Sequence, residues 1–205
     1  TGDGLIAAAL AQQYPSAQVI ALEPRPRENT AQRLAPLGNV AFIPKTWQAW
    51  DETDEVPFSR IQGQAGLALT LFPTQSLGAP EFRDARRELA TLIAKLLRPG
   101  TGEFILVTVA WYTTDLPEVL KEAGVEVTEE RVWGTDLPAQ LPIIERSSNF
   151  AAHKHEPLTV IRARRPRPSV AAVATPTTTA FEWIGPAYRF GAFQPAPPAI
   201  TAEVF

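Results

Sequence analysis

The sequence predicts an α/β domain built on a mostly parallel sheet. Short apolar runs of strand length alternate with helical patterns between residues 5 and 123, which is typical of parallel strands joined by helices. The run at 103–110 is almost wholly apolar, as are strands that are buried on both faces. The last two runs, 125–133 and 158–163, have no strong helix between them, so they predict an antiparallel hairpin at one edge.

Local signals place the individual elements in the order that this fold class requires. Apolar periodicity and Pro or Gly breaks predict helices at 5–13, 27–36, 83–97 and 115–123, and earlier strands at 18–22, 40–43 and 66–72. The helix at 83–97 has the clearest apolar stripe, and its face that we expect to be solvated carries Arg83, Arg86, Arg87 and Lys95. Residues 44–64 are polar and interrupted by prolines, which predicts a loop or a short helix.

The composition excludes several classes of function. The chain has 205 residues and a net charge of −3, which suits one domain with a real core. The absence of cysteine excludes disulfides, thiolate metal sites and cysteine nucleophiles, and with only two histidines we expect no metal site. No apolar run approaches the roughly 18 residues of a membrane span. We expect a protein of the cytoplasm or another reducing compartment.

The segment 165–205 differs in composition from the domain at 1–164. It is rich in proline and alanine and contains a run of threonines, so we predict an extended tail that does not continue the sheet. Disordered segments are poor in aromatic residues, whereas 181–193 carries several, and we therefore expect that stretch to dock on this domain or on a partner. A basic run at the end of the domain either contacts RNA phosphates or an acidic partner, or is a solvated strand end; it comprises Arg162, Arg164, Arg165 and Arg167.

Three landmarks occur in a fixed order along the domain. Gly2-Asp3-Gly4 forms a glycine turn that opens a helix, Glu23 stands at the tip of the next strand, and Leu96-Leu97-Arg98-Pro99-Gly100 precedes an apolar strand. In this order and spacing they resemble the class I S-adenosylmethionine-dependent methyltransferases over residues 1–164. The resemblance implies a Rossmann-like sheet that ends in a reversed hairpin.

The resemblance also implies a site for S-adenosylmethionine. Gly2, Asp3 and Gly4 would lie against the cofactor, and the Glu23 carboxylate, which only accepts hydrogen bonds, would receive both ribose hydroxyls. Trp47 either stacks on the adenine or packs in the core. The substrate side would include 72–75, which are Phe72, Pro73, Thr74 and Gln75. The family's amino-methylating members often carry Asn or Asp before the first proline of this stretch, whereas Phe72 stands here, so the sequence names neither the methyl acceptor nor a catalytic residue.

The family's central first strand should precede its glycine turn. That strand would lie before Thr1, so we expect a sheet without its central strand and a chain that is a segment of something longer. The main hypothesis is a methyltransferase, whose chemistry needs chiefly the placement of the reactants. One alternative is a methyltransferase-like structural subunit of a larger assembly with weak or lost catalysis. A second alternative is an NAD-type Rossmann domain, which shares the glycine turn and the acidic strand end.

Overall fold

A seven-stranded sheet forms the centre of the molecule. The computed structural model describes residues 3–71, 82–109, 115–134, 137–167 and 200–203. In chain order the strands are β1 (Val19–Leu22), β2 (Val40–Ile43), β3 (Ala65–Leu71), β4 (Glu103–Val109), β5 (Glu126–Trp133), β6 (Leu158–Arg164) and β7 (Ile200–Glu203). Their order across the sheet is β2-β1-β7-β3-β4-β6-β5.

Helices lie on both faces of this sheet. They are α1 (Leu5–Gln13), α2 (Thr30–Leu34), α3 (Phe58–Ile61), α4 (Arg83–Leu96), α5 (Leu116–Glu122), α6 (Leu137–Gln140) and α7 (Ser148–His153), with 3-10 helices at Trp47–Ala49 and Pro142–Arg146. The elements that local patterns predict are all present, with ends that differ by three residues or fewer. None of the described helices is long and apolar enough to cross a membrane.

The sheet is mostly parallel, as the sequence predicts. Strands β1, β2, β3, β4 and β7 pair in parallel, whereas β6 is antiparallel to both β4 and β5. The reversed hairpin is therefore confirmed. The residues between its strands form two short helices and a 3-10 turn rather than a plain loop.

Two apolar clusters fill the space between sheet and helices. On one face, Ile20 and Phe104 pack with α4 and α5; on the other, Val19 and Ile105 pack with α1 and the 142–146 turn. Alternate residues of a strand point to opposite faces, so the central strands are buried on both sides. The apolar composition of 103–110 follows from that position.

Asn39 fixes the direction of α1 against the sheet. Its side-chain amide lies 3.0–3.3 Å from the carbonyl oxygens of Ala11, Tyr14 and Ala17, around the end of α1. Asn39 directly precedes β2, so the end of α1 lies at the edge where the parallel strands begin. The start of α1 therefore faces the opposite edge, where these strands end. We call these two edges the amino edge and the carboxyl edge.

Strand β7 corrects the prediction that nothing after residue 164 continues the sheet. It pairs in parallel with β1 through Ile20↔Ala202 and with β3 through Ala68↔Ala202. It thus lies in the central position that we expected to be empty. Ile200 and Thr201 are β-branched and favour strands, but four residues behind a cluster of prolines are a weak signal.

Arg86 corrects the prediction of a wholly solvated basic face on α4. Its side chain is 3% exposed, and its Nη2 lies 3.1 Å from Oδ2 of Asp115, directly before α5. A buried guanidinium needs a charged partner, and α5 supplies one. The other three basic residues remain at the surface.

Candidate functional site

The turn at Asp3–Gly4 lies at the carboxyl edge and leads into α1. Gly4 has φ +76°, a left-handed conformation that glycine adopts without strain. A Cβ at this position would meet Thr30 Cγ2 at 3.2 Å and Leu34 Cγ at 3.3 Å. The backbone conformation and the tight space therefore both favour glycine here. This supports a specific turn packed on α2 over an incidental Asp-Gly sequence.

Arg33 holds this turn from the neighbouring helix. Its Nη1 donates to the backbone oxygen of Asp3, while the Asp3 carboxylate accepts the N–H of Leu5 at 3.1 Å. Sequence reasoning missed Arg33. The sequence feature that could have revealed it is the spacing of Thr30, Arg33 and Leu34, which places them on one face of a helix. All three contact the turn.

Glu23 lies where β1 ends, at the same carboxyl edge. Its backbone N–H donates to Ile43 of β2 at 3.1 Å, and its Oε1 accepts the N–H of Arg25 at 2.9 Å. The side chain is half-buried. The position is thus fixed by the sheet, and the carboxylate lies beside the loop that leads to α2, the helix that holds the glycine turn.

Trp47 lies after β2 and is 9% exposed. It belongs to the apolar cluster on the α4 face, together with Trp50 and Val56, so packing accounts for most of its surface. Stacking on a ligand would be restricted to its small exposed part.

Lys45, also after β2, is bound by the acidic loop that follows it. Its Nζ lies 2.8 Å from Asp54 and 3.7 Å from Asp51. The hydrogen bond to Asp54 raises the pKa of Lys45 above its ordinary value. The Thr53 hydroxyl and N–H, together with Lys45, lower the pKa of Asp51. Asp51 and Asp54 therefore neutralise the charge of Lys45 within the same loop.

The remaining predicted site residues lie outside the described residues. These are Gly2 and the substrate-side residues Phe72, Pro73, Thr74 and Gln75, and their roles stay predictions. The aromatic stretch 181–193 also lies outside them, and so its predicted docking is untested.

Two arginines of the basic run, Arg162 and Arg164, lie at the amino edge and are bound within the domain. Arg162 forms ion pairs with Glu103 and Glu129 at 3.1 and 3.0 Å, and Arg164 contacts both carboxylate oxygens of Glu126 at 3.0 and 3.2 Å. These carboxylates balance the charges of the two arginines, which lie at the edge opposite Glu23. A role in binding RNA or an acidic partner therefore gains no support from their surroundings.

The Leu96–Gly100 landmark forms the turn between α4 and β4. Gly100 has φ +80°, and a Cβ there would overlap the side chain of Arg167. The Arg98 N–H donates to Ala65 at the start of β3, and Arg165 donates to the carbonyl of Leu97 at 3.3 Å. The landmark is therefore a turn at the amino edge that connects α4 with the start of β3 and with the residues after β6.

A groove of about 970 Å³ runs along the outer side of α1. Its walls come from α1, from the end of α2 and from the 142–146 turn, and they include Leu5, Arg33 and Ile143. Glu23 does not line it. The groove is therefore distinct from the end of β1, although Leu5 at the start of α1 and Arg33, which holds the glycine turn, both line it.

Solved structures show which proteins share this architecture. The antibiotic-resistance methyltransferase Kmr is similar at a TM-score of 0.54 and 20% identity, over 82% of this chain and 85% of that chain. A 16S rRNA (adenine(1408)-N(1))-methyltransferase from Catenulisporales acidiphilia, solved with its cosubstrate SAM, is similar at a TM-score of 0.55 and 19% identity, over 82% and 84%. The chain has the class I methyltransferase fold.

The same fold also occurs with a different reaction. The cyclase SpnF is similar at a TM-score of 0.51 and 15% identity, over 82% of this chain and 74% of that chain. No protein-family model and no curated protein matches the sequence. The comparisons thus establish the fold, and a function must be argued from the site.

The fold decides against the second alternative, an NAD-type Rossmann domain. That fold has a sheet of order 3-2-1-4-5-6, whereas here the antiparallel β6 is inserted between β4 and β5. The predicted fold class is confirmed.

Proposed function

We propose that this chain binds S-adenosylmethionine at the carboxyl edge of its sheet and transfers the methyl group to an acceptor. The observation that carries the proposal is the left-handed turn at Asp3–Gly4, packed on α2 next to the loop that begins at Glu23. Ligands of open α/β sheets bind outside the carboxyl ends of the strands, and both features lie there.

Each residue of the proposed site has a chemical task. Gly4, without a side chain, lets the cofactor approach the backbone, and the start of α1 offers N–H donors. The Glu23 carboxylate accepts hydrogen bonds from the ribose hydroxyls. As the resemblance implies, Gly2 would also lie against the cofactor, and Trp47 would offer its small exposed part to the adenine. S-adenosylmethionine supplies an activated methyl group, so the protein has mainly to hold the two reactants in line.

For the acceptor, we propose RNA as the class to test first. One similar structure is a 16S rRNA methyltransferase solved with SAM, and Arg25 and Arg27 are exposed in the loop after Glu23, at the edge where an acceptor must reach the methyl group. Arginines suit phosphate contacts. Residues 72–75 would line the acceptor side.

Calorimetric titration of S-adenosylmethionine into the full chain tests the cofactor assignment. We expect binding by the wild type, and at least about 10-fold weaker binding by Glu23→Ala, because one or two charge-assisted hydrogen bonds are lost. Glu28→Ala is a matched control, since Glu28 is an exposed carboxylate in the same loop, and it should bind as the wild type does.

The titration tests the identity of the cofactor and the position of its site separately. A wild type that binds no S-adenosylmethionine contradicts the methyltransferase and favours a structural role for the fold. Binding that Glu23→Ala leaves unchanged contradicts only the site. Methyl transfer to a 16S rRNA fragment that is weakened by Arg25→Gln and by Arg27→Gln would support the RNA acceptor. Transfer that both variants leave unchanged, or no transfer to fragments that cover the 16S rRNA, would contradict the proposed acceptor.

A further inference from the structure

The position of β7 in the sheet is unusual for its place in the chain. It follows the long segment 165–199, yet it lies in the centre of the sheet, between β1 and β3. Adjacent strands lie about 4.8 Å apart, so β1 and β3 are separated by about 10 Å and are too distant to pair with each other. We call this space the central slot.

The central slot is bordered by backbone groups that need a partner. All four residues of β1 and most of β3 are buried, and within the described part of the chain their facing edges pair with β7 alone. A buried N–H or C=O without a partner is strongly unfavourable. The slot must therefore hold a strand whenever β1 and β3 are in place.

The pairing of β7 with β3 is imperfect at its start. Ala65 pairs with Ile200 but Leu67 pairs with Thr201, so Gly66 is left over. The β1–β7 pairing and the β3–β4 pairing have no such shift. Both edges of the slot thus pair with β7 over three residues, Thr201 to Glu203. We expect a strand that is held by so few residues to be replaced readily by another strand.

The slot also bears on the site. Glu203 pairs with Ala21 of β1, two residues before Glu23, so β7 fixes the strand end that carries Glu23. From these placements we propose that the central slot is a strand-acceptor site: residues 200–203 of the same chain fill it reversibly, and a separate strand of the same sequence can take their place. The further point that cofactor binding requires a filled slot rests on the proposed function.

The test uses the full chain with Ala202→Pro. Proline removes a backbone donor and is not tolerated within a central strand, whereas Ala196→Pro, in the proline-rich connection before β7, serves as the matched control. Hydrogen exchange followed by mass spectrometry should show at least 10-fold faster exchange at 19–22 and 65–71 in Ala202→Pro only, with the amides of 158–164 much less affected.

A peptide with the sequence of residues 196–205 then tests the slot directly. At about 1 mM, near the effective concentration of a tethered strand, it should restore protection to Ala202→Pro, even if that variant has lost structure more widely. The same peptide carrying Ala202→Pro should restore nothing. Unchanged exchange at 19–22 in the variant, or no restoration by the intact peptide, would overturn the proposal.

The oligomeric state and the affinity for S-adenosylmethionine show which part of the proposal fails. A wild type that is dimeric, with Ala202→Pro monomeric, would show that the slot is filled from a second copy and would overturn the assignment to the same chain. Affinity for S-adenosylmethionine should fall at least 10-fold in Ala202→Pro and recover with the peptide. If the wild type binds no cofactor, the proposed function fails, while the exchange data still decide the slot.

Discussion

At the scale of single residues, Gly4 is restricted both by its left-handed conformation and by the side chains packed against it. Alanine there would adopt a left-handed conformation that costs about 1–2 kcal/mol, and it would press on Thr30 and Leu34. We expect Gly4→Ala to lower the free energy of unfolding by about 2–3 kcal/mol in urea denaturation. In Gly38→Ala the new Cβ meets nothing within 4 Å, so that variant should change stability by less than about 0.5 kcal/mol; equal losses would contradict the geometry.

Arg33 offers a second prediction at this scale. Its hydrogen bond to the Asp3 oxygen holds the turn that we assign to the cofactor, so Arg33→Gln should weaken S-adenosylmethionine binding by about 10-fold, the equivalent of a charge-assisted hydrogen bond. Titration calorimetry measures this, and the thermal midpoint should fall by only a few degrees. Arg60→Gln, a change at an exposed arginine on α3, should behave as the wild type. An effect on stability without one on affinity would make Arg33 purely structural.

At the scale of elements, α4 and α5 are joined through the buried Arg86. Removing one partner of a buried ion pair costs about 3–5 kcal/mol, because the remaining charge loses that neighbour. We therefore expect Asp115→Ala to cost about 3 kcal/mol in chemical denaturation. Glu122→Ala, at the end of α5, removes exposed pairs with Arg83 and Arg87 at 3.8 Å and should cost less than about 1 kcal/mol. Similar losses of unfolding free energy in the two variants would show that the buried pair stabilises the protein no more than the exposed pairs do.

The hairpin of β5 and β6 has a predictable response to acid. The hydrogen bonds from Arg164 lower the pKa of Glu126 below its ordinary value of 4.5. Because the folded state lowers this pKa, the stabilisation is present above pH 4.5 and is lost as the pH falls through the lowered pKa.

The thermal midpoint of Glu126→Gln should therefore lie below that of the wild type at pH 7 and converge with it as the pH falls through the lowered pKa of Glu126. High salt should reduce the difference at pH 7, because both side chains are exposed. A difference that stays constant from pH 7 to pH 3 would contradict an electrostatic origin.

At the scale of the whole molecule, the central strand comes from the far end of the described chain. Pairing β7 with β1 closes a loop of nearly the full length, and distant contacts form late because they restrict the chain most. Pulsed hydrogen exchange during refolding should protect 103–109 and 158–164 before 19–22. Simultaneous protection of all these amides would mean that the sheet forms in one step around β7.

The sequence alone determined the local elements and the two-sided burial of the sheet. Apolar periodicity depends on neighbours a few residues away, so the strand at 40–43, the helix at 5–13 and the position of Glu23 at a strand end were all predictable. The need for glycine at position 4 was visible as a motif. Its physical cause, the contact with α2, was not.

Only the tertiary structure decided which distant groups meet. The burial of Arg86 depends on the packing of α5, the neutralisation of Arg162 and Arg164 depends on strand register, and the anchoring of Asp3 by Arg33 depends on the approach of α2. The central place of β7 is the clearest case. Four residues with a weak local signal became the middle of the sheet because β1 and β3 present buried backbone groups that only an added strand can pair.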